Sequence, residues 1–137
     1  MKISLGCDEA AYQLKETIKQ HLQKAGHEVI DNGVGEGEVE LYPDVAVRTC
    51  KKVTDGTCDR GILVCGTGIG MAMTANKVPG IRAAVCHDPF STERSVLSND
   101  ANVMCMGARV IAPQLALYLL DIWMRLTFKN GPSTPKV

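Results

Sequence analysis

The stretches KISLGCD (2–8), CDRGILVCGTG (58–68), GIRAAVCHD (80–88) and NVMCMGAR (102–109) carry short apolar runs without in/out alternation, each followed by a segment of helical spacing. Strands buried on both faces need such runs, and both faces are covered in parallel sheets wound with helices. HEVIDNG (27–33) supplies a fifth strand. Between the first and the fifth of these, Leu14, Ile18 and Leu22 recur every four residues and Gly26 ends the run, which predicts an amphipathic helix with a glycine C-cap. GVGEGEVELYPD (33–44) reads as loop, with Pro43 placed in the first turn of the helix over DVAVRTCKKVTDG (44–56). Further helices are expected over 70–78, 90–101 and 112–128. The expected fold is a three-layer α/β/α Rossmann-like domain around a five-stranded parallel sheet.

The chain has 137 residues, enough for one domain over 1–137 and too few for two with separate large cores. Only KNGPSTPKV (129–137) reads as a loose C-terminal tail, or as one pinned across a neighbouring subunit. Fifteen Lys and Arg balance fifteen Asp and Glu, so no overall field recruits nucleic acid or an anionic membrane. The first residues do not read as a signal peptide, and no apolar run is long enough for a membrane span. The six cysteines show neither CxxC nor finger-like Cys/His spacing, which argues for free thiols in a reducing cytoplasm and against a metal site.

In an open parallel sheet, ligands bind beyond the carboxyl ends of the strands. Asp8–Glu9, Cys65–Gly70 and His87–Asp88 lie at such ends, with Asn99 and Arg109 flanking the last strand. Gly66, Gly68 and Gly70 allow a tight turn into a helix and bring backbone amides close to an anion or a developing oxyanion. There is no Gly-Lys-Ser/Thr, no GxGxxG, and Met71 stands where a Cys-x5-Arg phosphatase loop needs arginine. A thiol at a helix entrance is stabilised as thiolate and can attack a carbonyl or take a proton from carbon. Inert packing of Cys65 and a merely tight βα turn remain the alternatives from the residues alone.

GCDEAAYQLKETIKQHLQKAGHEVIDNG, YPDVA, DRGILVCGTGIGMAMTANKVPGIRAAVCHDPFS, NDANVMCMGARVI and the closing helix closely resemble the ribose-5-phosphate isomerase B / galactose-6-phosphate isomerase family across almost the whole chain. The most specific portion is CGTGIGM…ANKVPGIRAA. The resemblance implies an aldose–ketose isomerase without metal or organic cofactor, acting on a phosphorylated small sugar through a cis-enediolate. It also implies a homodimer or larger assembly with interfacial active sites. Cys65 then matches the catalytic base, Thr67 the neighbouring hydroxyl, and Gly66, Gly68 and Gly70 the anion hole. Asp8 and Tyr42 match sugar-contacting residues, Asn99 the asparagine near C1 or O1, and Arg109 a phosphate ligand.

Four positions depart from the family pattern. Glu9 replaces a histidine that ordinarily helps hold phosphate, and Ser98 replaces the histidine credited with opening the sugar ring. The tail carries Pro132 and Lys136 where two arginines are common, so Lys136 offers a point charge in place of a bidentate fork. His87, at a strand end, is the candidate to replace the lost acid–base group. Ribose 5-phosphate is the family-default substrate. Erythrose 4-phosphate is the alternative these departures favour, because a tetrose 4-phosphate cannot close a five-membered ring. A sugar-phosphate-binding partner subunit without turnover is the other alternative. The closing helix, with Leu115, Leu117, Leu119, Leu120, Ile122, Trp123 and Leu126 on more than one face, further suggests assembly.

Overall fold

A computed structural model describes residues 1–137. Five strands, β1 (Lys2–Cys7), β2 (Glu28–Asp31), β3 (Arg60–Cys65), β4 (Ala83–Val85) and β5 (Val103–Gly107), form one parallel sheet in the order β2-β1-β3-β5-β4. Five helices connect or follow them: α1 (Tyr12–Lys24), α2 (Tyr42–Thr54), α3 (Ile69–Ala75), α4 (Pro89–Leu97) and α5 (Pro113–Arg125). The expected three-layer α/β/α architecture is thus present.

The strand pleat sorts the core into two layers. Ile3, Leu5, Cys7, Ile62, Val64, Met104 and Met106 pack with α1, α4 and α5 on one face. Leu63, Cys65, Val103 and Cys105 point the other way, toward α2 and α3. Close approach of α2 to the sheet depends on Gly6, because a Cβ there would run into the Thr49 hydroxyl and Val45. Leu14, Ile18 and Leu22 of α1 are buried as their spacing requires, and Gly26 ends the helix at φ +89°. Lys15 is buried too. Burial pulls its ammonium down, but hydrogen bonds to Asp31 (2.8 Å) and Glu16 (2.7 Å) outweigh that and tie α1 to β2.

Some boundaries differ from the sequence expectation. A 3-10 turn over Glu9–Ala11, capped by the Asp8 side chain, precedes α1. Helix α4 stops at Leu97, short of 101, and Asp100 takes φ +51°. Helix α5 stops at Arg125, three residues before Phe128. The supposedly loose tail contains a 3-10 turn, Thr134–Lys136. Helix α5 also needs no partner to cover most of its apolar side chains. Ala116, Leu119, Leu120, Ile122 and Trp123 are buried against this chain's own core, leaving Leu115 and Tyr118 as the exposed large apolar residues of that helix.

The strand order fixes where ligands meet the sheet. The chain runs from β1 out to β2 and returns to the other side of β1 with β3, so connections diverge between β1 and β3. Their carboxyl ends, Cys7–Asp8 and Cys65, therefore open onto one crevice.

Candidate active site

Six thiols are free and buried, but their surroundings differ. Burial pushes Cys7 and Cys50 up to about 12 and raises Cys58, Cys86 and Cys105 as well. Such thiols are poor bases and nucleophiles at neutral pH. Cys65 is distinguished by a hydrogen bond: its Sγ accepts the Gly68 N–H at 3.0 Å. Gly68 holds φ +79° at the entrance of α3, a conformation glycine adopts without strain.

The loop lies against the end of β5. A Cβ on Gly107 would stand 2.6 Å from the Thr67 backbone, and one on Gly68 would stand 3.0 Å from Met106. Ala108 N–H donates to Cys65 O (2.8 Å) and Arg109 N–H to Gly66 O (3.0 Å). These contacts seat the Arg109 side chain over Gly66, with Nη1 3.3 Å from the position of a Gly66 Cβ. Tyr42, at the start of α2, packs its ring where a Gly70 side chain would go, 2.5 Å from the would-be Cβ. At Gly70 a side chain would have to displace the Tyr42 ring, whereas at Gly66 the Arg109 side chain would need to give by only a few tenths of an ångström.

The three glycine amides do not share one task. Gly68 N–H is directed to the thiol, donating to Cys65 Sγ at 3.0 Å. The Gly66 and Gly70 amides form no hydrogen bond within the chain and remain free for an anion. Ile69 N–H donates to Thr67 Oγ1 at 3.2 Å, which leaves the Thr67 hydroxyl proton free to donate. Asp8 accepts Ala10 N–H at 3.1 Å and projects from the end of β1. Burial and neighbouring Glu9 raise its carboxyl above the usual range, while backbone amides and Arg109 act against them. Cys65, Thr67, Gly66, Gly68, Gly70, Asp8, Tyr42 and Arg109 are thereby neighbours at the carboxyl ends of β1, β3 and β5, with exposed Glu9 next to Asp8.

Asn99 and Lys136 are placed elsewhere. They line a groove of about 660 Å³ beside β4 and α4, together with Arg82, Arg94 and Ser95, and neither Cys65 nor Thr67 borders it. Ser98 Oγ lies 2.7 Å from Arg94 O and 2.9 Å from Asn99 Oδ1, so the hydroxyl orients Asn99 and offers no titratable group. Arg82 is held by Asp100, through Nε to the carbonyl at 2.6 Å and Nη2 to the carboxylate at 3.1 Å. Arg94 was not singled out by sequence. Its spacing from Ser91 on α4, three residues away, was the available signal that the two share a face. His87 follows β4, and its Nε2 accepts the Gly107 N–H at 2.8 Å.

The match to known proteins agrees with this geometry. Residues 3–137 match the Ribose/Galactose Isomerase family. The chain is 52% identical over 137 residues to the ribose-5-P isomerase B of Listeria innocua, covering all of this chain and 93% of that one. It is 49% identical over 138 residues to the D-erythrulose-4-phosphate isomerase of Pectobacterium atrosepticum, covering all of this chain and 91% of the other. Among solved structures, ribose-5-phosphate isomerase B of Clostridium thermocellum superposes with a TM-score of 0.97 at 44% identity, over all of this chain and 93% of that chain.

Proposed function

This chain belongs to the ribose/galactose isomerase family, and from that premise we propose that it interconverts the aldose and ketose forms of a small phosphorylated sugar by proton transfer at Cys65. The observation that carries this reading is the Cys65 thiol, held by the Gly68 amide inside a loop with unpaired amides at Gly66 and Gly70. Cys65 Sγ takes the proton from C2 of the aldose, and the electron pair forms the C1–C2 double bond while charge passes to O1. The Gly66 and Gly70 amides stabilise that enediolate oxygen, and the Thr67 hydroxyl assists proton movement between O1 and O2. The proton then returns to C1. Asp8 and Tyr42 contact the sugar, and Arg109 faces the phosphate. Every step uses side chains and amides of the protein, with no cofactor invoked. Six free, buried thiols suit a reducing cytoplasm. No helix is long and apolar enough to cross a membrane.

Asn99 and Lys136 complete the site from a second copy of the chain. In one chain they share a groove apart from Cys65. Ile69 and Met73, on the exposed side of α3 beside the catalytic loop, are 55% and 64% exposed and supply apolar area for the contact. Light scattering at micromolar concentration should give at least twice the 14.8 kDa chain mass. Mixing Cys65→Ser with Asn99→Ala chains should regain part of the activity each lacks alone. A 14.8 kDa species, or mixing without recovery, removes the shared site.

Ribose 5-phosphate is a substrate of this reading, and a four-carbon sugar phosphate is the better one. The favouring observation is the 98–100 segment, where Ser98 binds Asn99 and the Arg94 carbonyl, and Asp100 is engaged by Arg82. No free acid–base group stands there to open a furanose ring. A tetrose 4-phosphate is already open, because its C4 oxygen is esterified. The expected result is a kcat/KM for erythrose 4-phosphate at least about tenfold above that for ribose 5-phosphate, about 1.4 kcal/mol in the transition state. The rates must also be compared after correction for the open-chain fraction of ribose 5-phosphate. If ribose 5-phosphate wins before correction, the ring-opening argument fails.

A further inference from the structure

We propose that His87 is a positioning residue for the isomerisation: its ring completes the edge of β5 and so fixes the shelf on which the Cys65 loop rests. This rests on the isomerase reading above. Parallel strands alternate the side to which their peptide groups point. Cys105 O faces β4 and accepts Cys86 N–H at 2.9 Å, so Gly107, two residues on, presents its N–H toward the same side. But β4 ends at Val85, whose register partner is Cys105. No strand backbone remains to pair with Gly107. His87 Nε2 takes that place at 2.8 Å. A buried, unpaired N–H is costly, so the ring replaces the missing strand.

The consequence reaches the base through three successive amides. Gly107 N–H is held by His87, Ala108 N–H by Cys65 O, and Arg109 N–H by Gly66 O. Gly107 is also where the Thr67 backbone presses closest on the sheet, and it lacks a side chain to anchor it. Freed of its acceptor, the Gly107 peptide can turn, and the carbonyls of Cys65 and Gly66 lose a fixed partner. The backbone that carries the imidazole is itself held, because Asp88 next to it caps α4 through Ser91 N–H at 2.7 Å and its carbonyl accepts the Thr92 hydroxyl at 2.6 Å.

The hydrogen bond also defines the ring's protonation. Gly107 N–H is a donor, so Nε2 must carry a lone pair and the neutral ring must carry its proton on Nδ1. Burial lowers the His87 pKa and the Asp88 carboxylate opposes that shift. Strand β5 presents no charged side chain, and burial keeps the flanking thiols Cys86 and Cys105 protonated. An imidazolium would set two donors face to face. With the folded pKa below the unfolded value of about 6.5, the bond is intact above that value, and its contribution is lost as pH falls through the folded pKa.

His87→Gln places an amide oxygen near the Nε2 position and does not titrate, whereas His87→Leu removes the acceptor. The leucine variant should lose at least about tenfold in kcat with a smaller change in KM, the signature of transition-state misalignment. The glutamine variant should recover to within about threefold of wild type and lose the acid-side decline in kcat that His87 causes. Long-range proton–nitrogen NMR of histidine-labelled protein should show His87 as the Nδ1–H tautomer, its signals identified by their absence in His87→Gln; this reading is independent of turnover. Should the leucine variant fail to fold, the glutamine pH profile and the tautomer still decide. Wild-type kcat in the leucine variant, a glutamine variant as impaired as the leucine one, or an Nε2–H tautomer each overturns the positioning role. Wild-type protein that turns over no sugar phosphate, while showing the Nδ1–H tautomer, overturns the isomerase reading and leaves the bond a structural one.

Discussion

Cys65→Ser should fold as the wild type does and isomerise at least about a hundredfold more slowly, as expected for loss of a general base. Serine fits the 6%-exposed site, and its hydroxyl can still accept the Gly68 N–H, so the local backbone has no reason to move. What changes is proton affinity. An alcohol is far harder to deprotonate than a thiol, so the loop loses its proposed base. The loss should fall in kcat, with KM little changed, because the amides of Gly66 and Gly70, Asp8 and Arg109 remain. Exchange of the C2 proton in deuterated water should fall in parallel. Near-normal turnover or exchange in this variant would leave the crevice without its proposed base. The same variant separates an enzyme from a binding partner subunit, since a subunit without turnover has no rate to lose.

The strand-helix alternation was legible because burial on both faces dictates composition locally: each apolar run fits the layer it enters, from Ile3 and Leu5 to Met104 and Met106. The glycine loop was legible for a similar reason, since a side chain at Gly70 would displace the Tyr42 ring and Gly68 holds a left-handed conformation pressed against the Met106 backbone. Features set by the ends of neighbouring strands were not. Helical periodicity shows that α5 has several apolar faces; it does not show that α1, α4 and the sheet cover most of them. Likewise, nothing in GIRAAVCHD reveals that β4 is three residues long and stops opposite Cys105, which leaves the Gly107 N–H to the His87 ring. Asn99 and Lys136 matched family positions, yet their distance from Cys65 within one chain becomes visible only when the groove beside α4 is seen.

Gly107→Ala should be the most damaging substitution outside the residues that touch substrate. A methyl group there would stand 2.6 Å from both Cα and C of Thr67, backbone atoms that cannot swing aside as a side-chain end can. Two responses are open to the protein. Either β5 shifts, disturbing its pairing with Cys65 in β3, or the 66–68 loop lifts from the sheet. The loop is the softer element, because at Gly107 the buried strand is paired with Cys65 of β3 on one side and held by His87 on the other, while the loop lies on top of it. Lifting it moves the Gly66 amide and the Cys65 carbonyl together. The expected outcome is a fall in kcat of about a hundredfold, about 2.7 kcal/mol, accompanied by a lower Tm. Overpacking a well-filled site typically costs a further 1–3 kcal/mol in stability, roughly, so both readouts should respond. Gly131→Ala is the matched control, since a Cβ at Gly131 meets open space and should change neither quantity. If Gly107→Ala melts at a lower temperature but keeps its kcat, the strand has yielded in place of the loop, and the catalytic geometry does not depend on this contact.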